Sequence, residues 1–295
     1  MSEEIKFSYG GQAVIEGVMI RGRKHFSVAV RAMDNSIVTA SEPLNPLFTG
    51  YIRSIPVIRG IFVLLEALIL GVKSLNLSAQ LAIQSDTNNP DGNLSGWLLG
   101  ATVAISLSLG IGMFFVLPLV LVHLIDPWII SDLLSNTIEG LIRLLILLAY
   151  IWGIGFIRDI KRVFAYHGAE HMAVHTHEAS LPLTTENVRR FQTPHPRCGT
   201  AFLLTVVLVS IIVFAFLGRP DFEWRIASRL LLIPVIAGVS YELIRFSGTR
   251  YNWRISKLIS GPGLLLQRLT TRQPDDLQIE VAIAALNKAI DVDVS

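Results

Sequence analysis

The chain has 295 residues, of which 52% are hydrophobic and only 16% are charged. Soluble domains carry about 25% charged residues, so this composition predicts an integral membrane protein. The formal net charge of +2 and the absence of a dense basic run exclude a nucleic-acid partner. With a single cysteine, no intramolecular disulfide can form.

Residues 1–50 are predicted to form a small cytoplasmic β element. The stretch HFSVAVRAMDNSIVTASE alternates apolar and polar residues, with Phe26, Val28 and Val30 on one face and a turn signal at DNS, which is typical of a β-hairpin. Upstream, GGQAVIEGVMIRG sets glycines around short apolar runs, a pattern that indicates tight turns or close backbone approach. The N-terminal residues lack the pattern of a signal peptide, so membrane insertion is expected to use internal segments.

Residues 51–90 are predicted to contain an amphipathic or partly embedded helix. The polar interruptions of its apolar stretch, residues 56–83, are spaced by sevens at Arg59, Glu66, Lys73 and Gln80. Seven residues make almost two helical turns, so these side chains share one stripe. An in-plane helix fits this stripe. The alternative is a helix that packs on the others with its polar stripe facing a cavity.

Residues 91–250 are predicted to form a four-span membrane domain. A bilayer core of about 30 Å needs roughly 20 apolar residues in a helix. The stretches that meet this requirement are 97–125, 138–157, 200–217 and 226–246. The connection 126–137 has no Lys or Arg, whereas the His-rich loop 158–198 has six, so the loop and both termini are expected in the cytoplasm of a plasma-membrane protein. Within the second span, Arg143 is expected to pair with Glu242 or Asp159.

Residues 251–295 are predicted to be a cytoplasmic helical segment. The stretch QPDDLQIEVAIAALNKAI reads as an amphipathic helix that Asp275 or Asp276 caps, with Ile279, Ile283 and Leu286 on its apolar face. The predicted fold class is therefore mainly α: a polytopic helical membrane protein with a small N-terminal β element and a C-terminal amphipathic helix.

The stretch AYHGAEHMAVHTHE, residues 165–178, contains the main candidate metal-binding and catalytic residues of the chain. At 100° per residue, His167, His171 and His175 lie about 40° apart on one helical face. Glu178 falls within this face and Glu170 beside it. The residues H-G-A-E-H also spell H-x-x-E-H, which in inverted zincins gives two metal ligands and a glutamate general base, here Glu170. The alternative is a solvated helix whose histidines respond to pH or bind lipid headgroups.

A third ligand is needed, and two sources compete. One is TPHPRCGT, in which His195 and Cys198 have H-x-x-C spacing, and both side chains are good zinc ligands. The other is Glu242, because an ionisable group inside a span is costly and usually functional. Their alternatives are turn packing for His195, a small buried apolar role for Cys198 and a salt bridge of Glu242 with Arg245 or Arg250. The remaining candidates, as groups that support the ligands, are Glu16, His175, Glu178 and Arg197.

Four separated motifs carry a resemblance to a known family. GGQAVIEGVMIRG, YHGAEH, ENVRRFQTPHPRCGT and PGLLLQRLTTRQPDDLQIEVAIAAL together resemble the YqhQ-like bacterial membrane family, which is described as predicted metal-dependent enzymes. The resemblance implies a membrane location and a metal, and it names no substrate. The positions that match its motifs are Glu16, His167, Glu170, His171, His195, Arg197 and Cys198.

These patterns predict a membrane-embedded enzyme that uses a divalent metal, with zinc expected, to hydrolyse a peptide or a lipid-linked substrate at the cytoplasmic membrane face. One alternative is a metal-handling or transport protein. Another is a non-enzymatic membrane scaffold whose β element and C-terminal helix bind a cytoplasmic protein partner. The bilayer is the expected environment in each case.

Overall fold

The computed structural model describes residues 7–45, 54–83, 96–249 and 253–294. The predicted limit of the amphipathic segment, residues 84–90, and Arg250 lie outside these ranges. The described chain is mainly helical, as predicted. Its helices are α1 (Ile58–Ile83), α2 (Gly96–Ile111), α3 (Leu117–Ile125), α4 (Asp132–Ile154), α5 (Arg158–Glu178), α6 (Thr185–Val188), α7 (Gly199–Ala215), α8 (Phe222–Leu231), α9 (Ile233–Thr249), α10 (Arg254–Thr270) and α11 (Asp276–Val294).

The N-terminal residues form a four-stranded antiparallel sheet in the order β1-β2-β3-β4. The strands are β1 (Gly10–Val14), β2 (Gly17–Arg21), β3 (His25–Arg31) and β4 (Ile37–Pro43). The predicted hairpin is confirmed as β3 and β4, with Val30 opposite Val38. The glycine-rich stretch adds a second hairpin. At Gly17 an added Cβ would lie 2.2 Å from the Ala29 carbonyl oxygen, so glycine allows close approach there.

Helices cover both faces of the sheet. On one face Val18, Ile20 and Ala29 pack against α5 and α11. On the other face Phe26 and its neighbours pack against α1. Because successive side chains of a strand point to opposite faces, burial of both faces explains the continuous apolar run VMI in β2.

Helix α1 uses its C-terminal half to cover the sheet. Leu70 and Leu81 join the apolar cluster there, and Gln12 donates a hydrogen bond to Ser74 at 2.8 Å. Glu66, from the predicted polar stripe, pairs with Arg21 at 3.0 Å beside a cavity of about 300 Å³. These contacts agree with the alternative in which the helix packs on other elements and its stripe faces a cavity.

Within the described part of the chain, three helical segments are long and apolar enough to cross a membrane: Ile58–Leu81, Gly100–Trp128 and Asp132–Ile154. The pair α8 and α9, bent by 44°, makes a fourth if it counts as one span. The helices that could span a membrane are not all those predicted. Helix α1 is long and apolar enough, whereas the apolar α7, predicted as a span, has only 17 residues. The length and composition of these helices are consistent with a membrane protein.

A charged network lies among the apolar helices. Glu139 of α4 pairs with Arg143 one turn later at 2.7 Å, and Arg229 and Arg225 of α8 reach the same carboxylate at 2.9 and 3.3 Å. Each of the four residues is 1% exposed. Because a buried charge without a partner is costly, this network ties α4 to α8.

A helical irregularity supplies one more partner to this network. Pro118 has no N–H, so it cannot bond the Phe114 carbonyl one turn earlier, and a π-helical turn, Gly112–Val116, precedes it. The Nε–H of Arg143 donates to that carbonyl at 2.9 Å. The proline of the first apolar segment thus frees an acceptor for a buried arginine.

Candidate metal centre

Helix α5 spans Arg158–Glu178, so the histidine stretch is helical as predicted, and the helix presents its histidines in a row. The ring centroids of His167 and His171 are 4.4 Å apart. At Gly168 an added Cβ would lie 2.2 Å from the carbonyl oxygen of Arg272, so glycine lets the chain after α10 approach α5 closely. This approach places the carbonyl of Thr270 2.9 Å from Nδ1 of His167.

A first group of possible metal ligands consists of His167, His171 and Cys198. One ligand atom of each lies within 4.8 Å of the others, and Nε2 of His167 is 3.3 Å from Sγ of Cys198. The Nδ1 atoms of the two histidines meet the backbone carbonyls of Thr270 and Thr193. Because a carbonyl can only accept, each Nδ1 carries the ring proton and each Nε2 keeps a lone pair.

Cys198 reaches this group because it lies at the N-terminal cap of α7. The backbone N–H of Thr200 donates to its sulfur at 3.3 Å, and the Thr200 hydroxyl lies 3.1 Å from it. The cysteine is 5% exposed. Of the two predicted sources of a third ligand, the segment TPHPRCGT therefore supplies one.

Glu170 is buried beside the first group. Its Oε2 lies 3.5 Å from Nε2 of His171, and the backbone of Gly11 in β1 hydrogen-bonds its carboxylate. Burial is the main cause that raises the pKa of Glu170, and His167 and His195 oppose the rise. Burial also lowers the pKa of His171. The carboxylate of Glu170 is thus buried next to one of the two histidines of H-x-x-E-H.

A second group consists of His175, Glu178 and His195, again with one ligand atom of each within 4.8 Å of the others. Oε2 of Glu178 is 3.5 Å from Nε2 of His195, and its Oε1 contacts the guanidinium of Arg197. Burial lowers the pKa of His175 to about 4 and also lowers that of His195. His195 therefore belongs with His175 and Glu178 rather than with Cys198.

A small chamber and a larger cavity border these groups. The chamber, of about 50 Å³, is lined by residues of the first group, Glu170, His195 and the glycines of β1. Glu178 lines the larger cavity, of about 920 Å³, and Arg197 lines both. The second group thus lies between the enclosed chamber and the open cavity.

The predicted candidate Glu242 lies elsewhere. Its carboxylate pairs with Arg59 of α1 through two hydrogen bonds, one of 2.7 Å, and also accepts from the backbone N–H of Val57. Among the described residues it joins neither ligand group. The predicted pairing of Arg143 with Glu242 or Asp159 is wrong, because Glu139 shares a helical face with Arg143.

Glu16 also lies apart from the ligands. It occupies the turn between β1 and β2 with φ at 50°, and it pairs with Arg162 of α5. The hydroxyl of Tyr166 lies 3.3 Å from the same carboxylate. Arg162 lowers the pKa of Glu16 by hydrogen bonding. In this position Glu16 fastens the sheet to the helix that carries the histidines.

Several supporting groups left no clear signal in the sequence. Gln267 of α10 holds the backbone of His195 at both its N–H and its carbonyl, at 2.7 and 2.9 Å. The acceptors at Thr193 and Thr270 are backbone carbonyls, which any residue carries. The one sequence signal for Gln267 is that it lies in PGLLLQRLTTRQPDDLQIEVAIAAL, one of the four motifs that carry the family resemblance.

The fold and these groups define a mainly helical chain with three or four candidate spans and a candidate metal centre beside a small sheet. A family model described as "Protein of unknown function (DUF1385)" matches residues 55–292, and the chain belongs to that family. It is 35% identical to "Uncharacterized protein YqhQ" of Bacillus subtilis (strain 168), over 96% of this chain and 92% of that protein. No solved structure matches the chain.

Proposed function

We propose that this chain is a membrane-embedded, metal-dependent hydrolase that acts at the cytoplasmic membrane face. The observation that supports it most is the convergence of His167, His171 and Cys198 beside a buried glutamate. A catalytic zinc site typically has three protein ligands and an open position. Three ligands next to a chamber of about 50 Å³ fit that pattern.

The chemistry of these residues suits zinc. Imidazole and thiolate together favour zinc over magnesium or calcium, which prefer oxygen ligands. Carbonyls at Thr193 and Thr270 fix the tautomers of the two imidazoles, which is the usual outer support of a ligating histidine. A bound zinc ion would act as a Lewis acid and would make water a nucleophile near neutral pH.

Glu170 is the proposed general base. Its carboxylate would take a proton from water at Oε2 and return it to the leaving group. A base works best when its pKa is near the working pH, and burial raises the pKa of this glutamate towards that range.

The position beside the membrane suits a peptide or lipid-linked substrate. The Lys and Arg bias of the connections assigns the loop 158–198 to the cytoplasm. Helix α4 leads from the apolar helices directly to α5, separated from it only by residues 155–157. A substrate anchored in the bilayer could therefore present its polar part to the chamber.

Metal content and hydrolysis of matched variants test this proposal. Protein purified in detergent should carry a stoichiometric divalent metal, and His167→Ala and His171→Ala should each lose the ion that the first group holds, because each removes a ligand. Glu170→Gln should keep the metal but abolish cleavage of a panel of fluorogenic peptide and ester substrates, since the amide cannot accept the proton. His177→Ala, on the same helix and outside both ligand groups, is the control.

Wild-type protein without metal after purification and reconstitution with Zn²⁺ would overturn the proposal. Metal that is retained together with full cleavage in Glu170→Gln would exclude Glu170 as the base. Bound metal without cleavage of any substrate, in wild type and variant alike, would favour the metal-handling alternative.

A further inference from the structure

We propose that His175, Glu178 and His195 form a second metal site, adjacent to the first, so that the centre holds two divalent cations. This inference extends the proposed function and depends on it only for the first ion. Within this group, His195 lines the enclosed chamber and Glu178 lines the larger cavity.

The geometry of α5 places the second group directly beyond the first. His175 and Glu178 follow His171 by four and seven residues, so they continue the same face of the helix. The ring of His195 lies between the two groups, with centroids 5.5 Å from His171 and 4.4 Å from His175. One ligand atom from each of the three residues lies within 4.8 Å of the others, a spacing that one cation can bridge.

The Nε2 atom of His195 is the strongest sign of a ligand. The residue is 4% exposed, and this nitrogen is buried without a hydrogen-bond partner. A buried polar atom of this kind normally has a partner. It points to Glu178 at 3.5 Å, which is beyond a hydrogen bond. A cation between the two would satisfy both.

His175 and Glu178 are each oriented by a hydrogen bond from or to a neighbouring group, as metal ligands usually are. The Pro194 carbonyl accepts from Nε2 of His175 at 3.0 Å, which leaves Nδ1 of that ring with its lone pair. Arg197 binds Oε1 of Glu178 and leaves Oε2 towards His195. Hydrogen bonds to a ligating carboxylate are typical of the outer shell of a metal site.

Occupation of the site has one structural cost. The backbone N–H of Arg197 donates to Nδ1 of His195 at 3.2 Å. Binding through Nε2 requires the ring proton on Nδ1, so this long hydrogen bond is given up. The backbone of His195 stays fixed by Gln267, which keeps the ring in place during the change.

The two groups differ in one ligand, and this difference makes them separable. The first contains a sulfur and the second only nitrogen and oxygen donors. Paired metal ions are typical of enzymes that cleave phosphoesters and of aminopeptidases. A thiolate bound to Co²⁺ absorbs strongly in the near ultraviolet, whereas imidazole and carboxylate ligands do not, so cobalt reports on the two sites independently.

The test is a Co²⁺ titration of the full-length protein in detergent after removal of metal with a chelator. Wild type should retain about two equivalents of cobalt after gel filtration, with a thiolate band that corresponds to one of them. His175→Ala and the isosteric Glu178→Gln should retain about one equivalent and the full band. His167→Ala should keep one equivalent and lose the band, and the control His177→Ala should match wild type.

The outcomes separate the second site from the first. One equivalent in wild type, with its band unchanged by His175→Ala and Glu178→Gln, overturns the second site and leaves the proposed function intact. One equivalent without a thiolate band, lost in His175→Ala, supports the second site and overturns the first. Protein that binds no cobalt overturns both.

Discussion

Each candidate ligand of the first group is held by a backbone group, which the side-chain types in the sequence do not reveal. Backbone carbonyls accept hydrogen bonds from Nδ1–H of His167 and His171, and the backbone N–H of Thr200 in the first turn of α7 donates to the sulfur of Cys198. The spacing H-x-x-E-H indicates which side chains share a face, but it does not indicate which nitrogen is free. The contacts of α5 with the chain around Thr193 and Thr270 determine that Nε2 of each ring keeps its lone pair.

Gly168 gives a direct test of this dependence on contacts. In Gly168→Ala the new methyl group meets the Arg272 carbonyl, and the backbone must move. Overpacking of this kind costs about 1–3 kcal/mol. We expect a lower thermal midpoint in detergent and weaker metal binding, because the displaced chain includes the Thr270 carbonyl that holds His167. Both are measured by unfolding fluorescence with and without added Zn²⁺.

Gly261→Ala in α10 is the matched control, since nothing lies within 4 Å of its added Cβ. If Gly168→Ala proves as stable and as tight a zinc binder as Gly261→Ala, the close approach of the chain to α5 is not what orients His167.

Helices and strands with a clear apolar periodicity could be predicted from the sequence. An element whose role depends on what it packs against could not. The hairpin β3–β4, helix α5 and helix α11 follow the predicted patterns, and Asp275 caps α11 through the backbone N–H of Gln278 at 2.8 Å. The role of α1 did not follow from its polar stripe, which makes the helix amphipathic. A stripe of this kind suits a membrane surface and a sheet equally, and only the contact with β1 and β3 distinguishes them.

In the candidate site, too, residues within a motif could be predicted, whereas a pair that is distant in the chain could not. The sequence predicted His167, Glu170 and His171 from one motif and Cys198 from another, and the structure brings them together. Glu242 drew attention because a charge within an apolar run is costly. Its partner, Arg59, lies 183 residues away in the chain, so sequence spacing could not identify the pair.

At the scale of the whole molecule, the sheet, α5 and α11 share one apolar core, and α4 leads from the apolar helices directly to α5. Helix α4 has 23 residues and so extends about 35 Å, enough to cross a bilayer core of about 30 Å. Its N-terminal end therefore lies on the opposite side of the membrane from α5 in the proposed topology. In the proposed topology, which follows the Lys and Arg bias of the connections, the sheet, the histidines and both termini lie in the cytoplasm.

Cysteine labelling in intact bacteria tests this orientation. Met33, in the turn before β4, is 79% exposed, and Ile130, before α4, is 98% exposed. An impermeant maleimide should label Ile130→Cys in intact cells and Met33→Cys only after permeabilisation. Wild type is the control, because its one cysteine is buried. Labelling of Met33→Cys in intact cells would place the sheet outside and contradict the proposed topology.

The central claim is that imidazole and thiolate ligands of this chain hold one zinc ion. X-ray absorption spectroscopy of the zinc-loaded His175→Ala variant tests it most directly, because the first site is then examined alone. We predict one sulfur neighbour at about 2.3 Å and nitrogen neighbours at about 2.0–2.1 Å, with the sulfur lost in Cys198→Ser. A zinc ion surrounded only by oxygen and nitrogen, with a spectrum unchanged in Cys198→Ser, would contradict it.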